Sequence, residues 1–264
     1  MATCRIATPP FCEPVSLAEV KSFLRVNWSE DDALIAMLIT AARRYASDYQ
    51  RRAYINTVYL QCLDSFPYFT DTMMSQMAYP PSYYSLPKYS TTLWNYSQMI
   101  KLFYAPLASA VEIYYVSSAT STLTPLTGTV DVSDTTKDFL CDIQSEPPRI
   151  FPNAGQNWPS VLYVPNAVQI NYAAGYNDDD AIASAVDTYT GGSPIPSAED
   201  IAAYEATLRQ ADVPETIKVA IMQLVAHLYE NREVATTTKL NTVPFHVQSL
   251  LDIERVVDYQ PTRG

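Results

Sequence analysis

The sequence predicts an α+β protein, an antiparallel helix bundle with an inserted small β unit and two long loop insertions. Three observations predict it. Apolar residues recur at helical spacing near both ends of the chain, they alternate with period two in the middle, and prolines cut that middle into short pieces. A chain of 264 residues buries roughly three quarters of its unfolded surface on folding, so it needs no metal or disulfide staple.

Residues 14–53 read as a helical pair. Ser16 followed by Glu19 is a capping box, each side chain satisfying a backbone N–H of the other at a helix start, and Leu17, Val20, Phe23 and Leu24 follow at helical spacing, predicting a helix over 17–25. Ser29-Glu30-Asp31-Asp32 then offers a second cap, with three acids at the positive end of the dipole, ahead of a helix over 30–52. Its core face reads as Leu34, Ile35, Leu38, Ile39, Ala42, Tyr45 and Tyr49.

From residue 54 to 176 the pattern is that of a β unit. Val58, Leu60 and Cys62 alternate with Tyr59 and Gln61, and further strands are predicted at 99–104, 111–116, 130–132 and 167–172. Pro106, Pro125, Pro147, Pro148, Pro152, Pro159 and Pro165 keep these strands short, which argues against a doubly wound parallel sheet.

Helical spacing returns after Pro214 with Ile217, Ala220, Ile221, Leu224, Val225 and Leu228, predicting a long helix over 214–232 within a segment 213–234. A threonine-rich link leads to Val243-Pro244-Phe245 and a short apolar helix around Leu250 and Leu251, so that 235–264 reads as a terminal arm. Two stretches stand outside this plan as insertions into one domain spanning 1–264. Residues 65–98 are rich in Tyr, Pro, Ser and Met. Residues 178–212 hold eight acids and one base, with a short helix predicted at 198–209.

Composition excludes several functions. With 17 basic and 28 acidic side chains the net charge is −11, the wrong sign for a nucleic-acid clamp, and six glycines leave little for phosphate-cradling loops. No apolar run reaches the ~18 residues of a membrane span, and residues 1–13 lack the apolar core of a secretory signal, so synthesis in the cytoplasm is expected. Cys4, Cys12, Cys62 and Cys141 form no CxxC pair and read as reduced. Only His227 and His246 are available as general bases. His227 and Glu230, at i, i+3, are not a zinc helix, and Asp178-Asp179-Asp180 lacks the spaced ligands of a calcium loop. There is no Gly-x-Ser-x-Gly elbow and no P-loop. No enzyme activity, metal or cofactor is expected.

Three blocks carry a resemblance. Val15-Ser16-Leu17-Ala18-Glu19-Val20-Lys21-Ser22-Phe23-Leu24-Arg25-Val26 is followed by Asp31-Asp32-Ala33-Leu34-Ile35 and Ala41-Ala42-Arg43. Pro147-Pro148-Arg149-Ile150 precedes Asn166-Ala167-Val168-Gln169-Ile170-Asn171-Tyr172-Ala173-Ala174-Gly175-Tyr176. Val213-Pro214-Glu215-Thr216-Ile217-Lys218 leads to Ala226-His227-Leu228-Tyr229-Glu230-Asn231-Arg232-Glu233. In this order they resemble the head-tail connector (adaptor) family of long-tailed bacteriophages, from which residues 65–98 and 178–212 depart by their length.

The resemblance implies a structural virion protein at the head-tail junction, assembled in the host cytoplasm. It would form a ring, dodecameric in many relatives, that sits under the portal protein, closes the DNA-filled head, lets DNA pass and joins the next tail-side protein. On that basis Arg43, Arg44, Arg51, Arg52, Lys218 and Arg232 are expected at the subunit interface, and Val243, Phe245, Leu250 and Leu251 in a portal-binding arm. Tyr79, Tyr83 and Tyr84 are expected on the tail side, where Tyr supplies contact area at low entropic cost, or else folded back on the β unit. Asp178, Asp179 and Asp180 either line the DNA channel or sit on a solvated loop. The alternative function is a tail-tip adhesion or carbohydrate-binding module, which would bind glycan and form no ring.

Overall fold

The computed structural model describes residues 3–67, 98–108, 111–131, 133–154, 156–191, 196–231 and 245–256. Tyr79, Tyr83, Tyr84, Arg232 and Val243 lie outside the described residues, as does the side chain of Phe245. The fold is α+β, as expected, and its chain divides into two compact units.

One unit comprises residues 1–7, 58–103 and 109–173. Strands β1 (Thr3–Thr8), β2 (Thr57–Leu63), β4 (Glu112–Val116), β5 (Leu123–Leu126) and β9 (Val168–Ala174) form a sheet of order β1-β2-β9-β4-β5, and β3 (Ile100–Lys101), β6 (Gly128–Thr129), β7 (Phe139–Asp142) and β8 (Arg149–Pro152) form a second of order β3-β8-β7-β6. Strand β4 runs antiparallel to β9, with Ile113 opposite Ile170. The alternation expected at 58–62 is present with its faces exchanged: Thr57, Tyr59 and Gln61 are the buried residues of β2. Gln61 is tolerated inside because its Nε2 donates to the Lys101 carbonyl at 3.0 Å and its Oε1 accepts from the Phe103 N–H at 3.2 Å.

The strand predicted at 130–132 is displaced. Pairing occurs at Gly128–Thr129, Val130 is exposed, and Asp131 and Asp134 turn the chain by accepting from the backbone N–H groups of Ser133 and Thr136. Phe66 and Trp158 stack with centroids 4.7 Å apart, Phe139 lies 6.4 Å from Trp158, and the indole N–H donates to the Gln98 carbonyl at 2.7 Å. Gly128 lies so close to the Phe139 ring that a Cβ there would fall 2.2 Å from it.

The other unit comprises residues 8–57, 104–108 and 174–264. Its helices are α1 (Leu17–Leu24), α2 (Asp32–Gln50), α3 (Asp179–Thr190), α4 (Ala198–Ala211), α5 (Glu215–Glu230) and α6 (Phe245–Ile253). The capping box forms as predicted: the Glu19 N–H donates to Ser16 Oγ at 3.2 Å and the Ser16 N–H to Glu19 Oε2 at 2.7 Å, an arrangement worth about 1 kcal/mol. Asp31 is the N-cap of α2 but makes no side-chain cap bond; its carboxylate instead accepts from Trp28 Nε1 at 3.2 Å and from the Tyr229 hydroxyl at 2.5 Å. That last bond joins the end of α5 to the start of α2, so the two helices run antiparallel.

Helices α1, α5 and α6 pack on α2 around Val20, Ile35, Ile39, Ile217, Ile221 and Leu224. Both α1 and α2 end in a left-handed arginine, Arg25 (φ 57°) and Arg51 (φ 55°), where glycine is commonest. The acidic stretch 178–212, expected as a loop with one short helix, is two helices: α4 covers the predicted 198–209 and α3 precedes it.

Candidate assembly surfaces

Among the described residues no group of His, Cys, Asp and Glu is placed to hold a metal ion, and no helix is long and apolar enough to cross a membrane. All four cysteines are free thiols, and burial pushes Cys4, Cys12 and Cys141 up to about 11. A thiol so protonated is a poor nucleophile. His227 belongs to the end of α5, where Asn231 Nδ2 lies 3.2 Å from its Nδ1 and donates to its carbonyl at 2.8 Å.

The arginines expected at a subunit contact divide into two sets. Arg44 and Arg51 are exposed. Arg43 is half-buried, its Nε 2.6 Å from the Glu13 carboxylate. Arg52 is 7% exposed, donates to the Glu254 carbonyl and lies over the Tyr176 ring at 6.0 Å. Lys218 is also buried, 2.9 Å from Glu215 one helical turn back. Arg52 therefore faces into its own chain, and Lys218 spends its charge on Glu215. Periodicity could not separate them, because Arg52 lies just past the end of α2 and Lys218 covers its charge with a carboxylate on the same helix.

A similar difference holds for the arm. Leu251 is 1% exposed in the helical core and Leu250 packs against that core, so Leu251 is not available to a partner. Helix α6 is tied to the end of α2: Gln50 Nε2 donates to the Leu251 carbonyl at 2.7 Å, the Tyr49 hydroxyl to Asp252 at 2.8 Å, and the Val256 N–H to the Gln50 carbonyl at 3.0 Å.

The three aspartates do different work. Asp178 is the N-cap of α3 and accepts from the Asp180 and Ala181 N–H groups, both at 3.1 Å. Asp179 receives Arg209 at 2.7 Å and Asn56 Nδ2 at 2.6 Å. Asp180 is exposed in the first turn, favourable to the dipole. Arg209 clasps the two helices. It also binds Glu205 at 2.9 Å, and although burial works against its charge, the bonds to Asp179 and Glu205 raise its pKa overall. Tyr189 and Tyr204 stack across the hairpin with centroids 4.3 Å apart. No residue of α4 is fully buried, and of α3 only Ile182 is.

Sequence reasoning missed three surfaces. A groove of about 530 Å³ opens between α1 and α5, lined by Val15, Ala18, Phe23, Lys218 and Met222 among others, with Phe23 45% exposed. On α2, Ala33, Met37, Ala41 and Tyr45 are exposed with Arg44 beside them; Met37 is 65% exposed. A signal for this second surface existed, since apolar residues occupy more than the core face of α2. In the β unit Tyr163 is 99% exposed on a turn closed by the Val164 N–H donating to the Leu162 carbonyl, a projection with no periodic signal.

Residues 14–74 match the family described as Phage gp6-like head-tail connector protein. No curated protein matches significantly. Among solved structures, the fold is similar to that of a chain from the neck of an empty gene transfer agent (GTA) particle computed with C6 symmetry, at 16% identity and TM-score 0.58 over 100% of both chains. A chain from the virion of the native GTA particle is 16% identical with TM-score 0.59, covering 99% of this chain and 100% of that one. One from the neck of the native particle computed with C12 symmetry is 17% identical with TM-score 0.57 over 100% of both. At these identities the likeness is one of fold. Family match and fold together bear out the resemblance to head-tail connectors, a family of structural particle components and not of enzymes.

Proposed function

We propose that the chain is a head-tail connector that assembles into a dodecameric ring beneath the portal of a phage-like particle, closes the filled head, lets DNA pass and presents a surface to the next tail-side protein. Support comes above all from the whole-length likeness in fold to chains from particle necks computed with C6 and C12 symmetry. The match of residues 14–74 to the connector family points the same way. The physical chemistry is compatible with such a role. DNA held by lysines and arginines binds tightly through counterion release, whereas a subunit of net charge −11 repels phosphates and leaves the genome free to slide. Ring contacts are heterologous, so each subunit must carry two unlike faces whose angle sets closure.

Within this reading Val243 and Phe245 contact the portal, and Tyr79, Tyr83 and Tyr84 contact the tail side. Electron microscopy of the purified protein, alone and with portal, tests the proposal. Annular particles that cap the portal are expected. Binding of the isolated protein to cell-surface glycan, with labelling confined to distal tail fibres, overturns it in favour of an adhesion module. The portal contact is tested by Val243→Asp and Phe245→Asp rather than by truncating 235–264, which would also remove the buried Val247 and Leu251.

A further inference from the structure

We propose that the outward face of α2 is the seat for the acidic α3–α4 hairpin of the neighbouring copy of this chain; the inference rests on the ring reading and names the two faces that the ring joins. A solvent-facing helix surface is ordinarily rich in charge. On α2 it instead carries Ala33, Met37, Ala41 and Tyr45, with charge only toward one end, where the exposed Arg44 and Arg51 outnumber Asp48, whose carboxylate accepts from the Tyr104 hydroxyl at 2.9 Å. Tyr45 is held in place by stacking on Tyr49 with centroids 6.2 Å apart. An exposed apolar patch with a charged margin is the usual appearance of a protein contact.

The hairpin supplies the complement. Its residues 178–212 hold eight acids and one base, and the base, Arg209, is already bound to Asp179 and Glu205. Asp180, Asp187 and Glu199 are exposed carboxylates paired with no cation among the described residues. Between them the exposed positions are small, Ala183, Ser184, Ala202 and Ala203, which lets a second helix approach closely. The Arg209 clasp and the Tyr189–Tyr204 stack fix the hairpin before any partner arrives, so docking orders little.

The two faces also look in different directions. A subunit's own hairpin is anchored where Gln210 Nε2 donates to the Glu13 carbonyl at 2.9 Å, and the Glu13 side chain holds the flank of α2 bearing Thr40 and Arg43. At 3.6 residues per turn, the centre of the Met37, Ala41, Arg44 and Tyr45 patch lies roughly a third of a turn round the helix from that flank. A hairpin therefore meets the patch of a neighbour, as a head-to-tail contact requires.

The test uses two full-length variants, Arg44→Glu with Arg51→Glu, and Asp180→Lys with Asp187→Lys and Glu199→Lys. All five positions are exposed, and circular dichroism checks that each variant folds. Each alone is expected to lose ring formation by about tenfold or more at low salt. Mixed in equal amounts they are expected to regain rings of alternating copies, because each reversed face then meets a face of opposite sign. Arg44→Glu by itself carries the same expectation should a multiple variant misfold. Rings formed by the folded variants alone, or folded variants whose mixture stays monomeric, overturn the inference while leaving the connector reading intact. Wild-type protein that forms no ring, alone or on portal, overturns the connector reading and the inference with it.

Discussion

Arg52 and Glu254, 202 residues apart in the chain, are joined twice: the Arg52 Nε donates to the Glu254 carbonyl and its guanidinium lies 4.0 Å from the Glu254 carboxylate. A residue at the end of α2 thereby fastens the segment that follows α6. Arg52→Ala is expected to destabilise the helical unit by about 2–3 kcal/mol, the scale of a buried bond to a charged group. Hydrogen exchange in 245–256 should accelerate before that in α2. Arg52→Lys should recover only part of the loss, since an ammonium cannot reproduce the guanidinium fork.

Arg25→Gly is expected to stabilise the protein by about 0.5–1 kcal/mol. The φ of 57° at Arg25 costs a side-chain-bearing residue energy that glycine does not pay, and this outweighs the extra freedom of glycine in the unfolded chain. Urea unfolding followed by far-ultraviolet circular dichroism measures the change. An unchanged or lower midpoint would mean that the arginine side chain contributes more at that cap than its backbone costs.

Gly128→Ala should destabilise the β unit by about 1–3 kcal/mol, because the new methyl would overlap the buried Phe139 ring and the close packing around it has no room to yield. Trp158, 6.4 Å from that ring, reports the disturbance through its fluorescence. A spectrum and midpoint identical to wild type would show that the ring moves aside at no cost.

Asp142 gives the β unit an acid-sensitive brace. Burial raises its pKa, but bonds from the Ser145 hydroxyl and from Arg149, each near 2.7 Å or shorter, outweigh burial and hold it below its ordinary 3.8. A carboxyl depressed on folding stabilises the native state above its unfolded pKa, and that contribution disappears as pH falls through the folded value. Asp142→Asn should therefore cost about 1–2 kcal/mol at neutral pH and flatten the stability profile below pH ~4. Equal urea midpoints for the two proteins at pH 7 would contradict the assignment.

The helices and their caps were the readable part of this chain. Ser16 with Glu19, and the stripe from Ile217 to Val225, each encode a local decision that tertiary structure only confirms. Leu228 of the same stripe is 36% exposed, since the apolar repeat runs a turn beyond the packing it serves. Helix α3 was hidden by its own start signal: three successive aspartates look like a solvated loop, yet they are the cap and first turn of a helix.

The strands were harder for physical reasons. Strand β5 contains Pro125 and tolerates it only as the outermost strand of its sheet, and β1 is mostly exposed, so neither shows a buried alternation. In β2 the more polar face is the buried one, and bonds such as those of Gln61 to Lys101 and Phe103 and of the Thr57 hydroxyl to the Ile55 carbonyl make that possible. The candidate surfaces were the least legible, because whether Met37 is exposed or Leu251 enclosed depends on what packs nearby, which spacing alone does not reveal.

The backbone passes between the two units five times, at 7–8, 57–58, 103–104, 108–109 and 173–174. No single scission, and no choice of new termini, releases either half as an intact fragment. Producing either unit by itself would require splicing three separate stretches of this chain, so the two are encoded and made together.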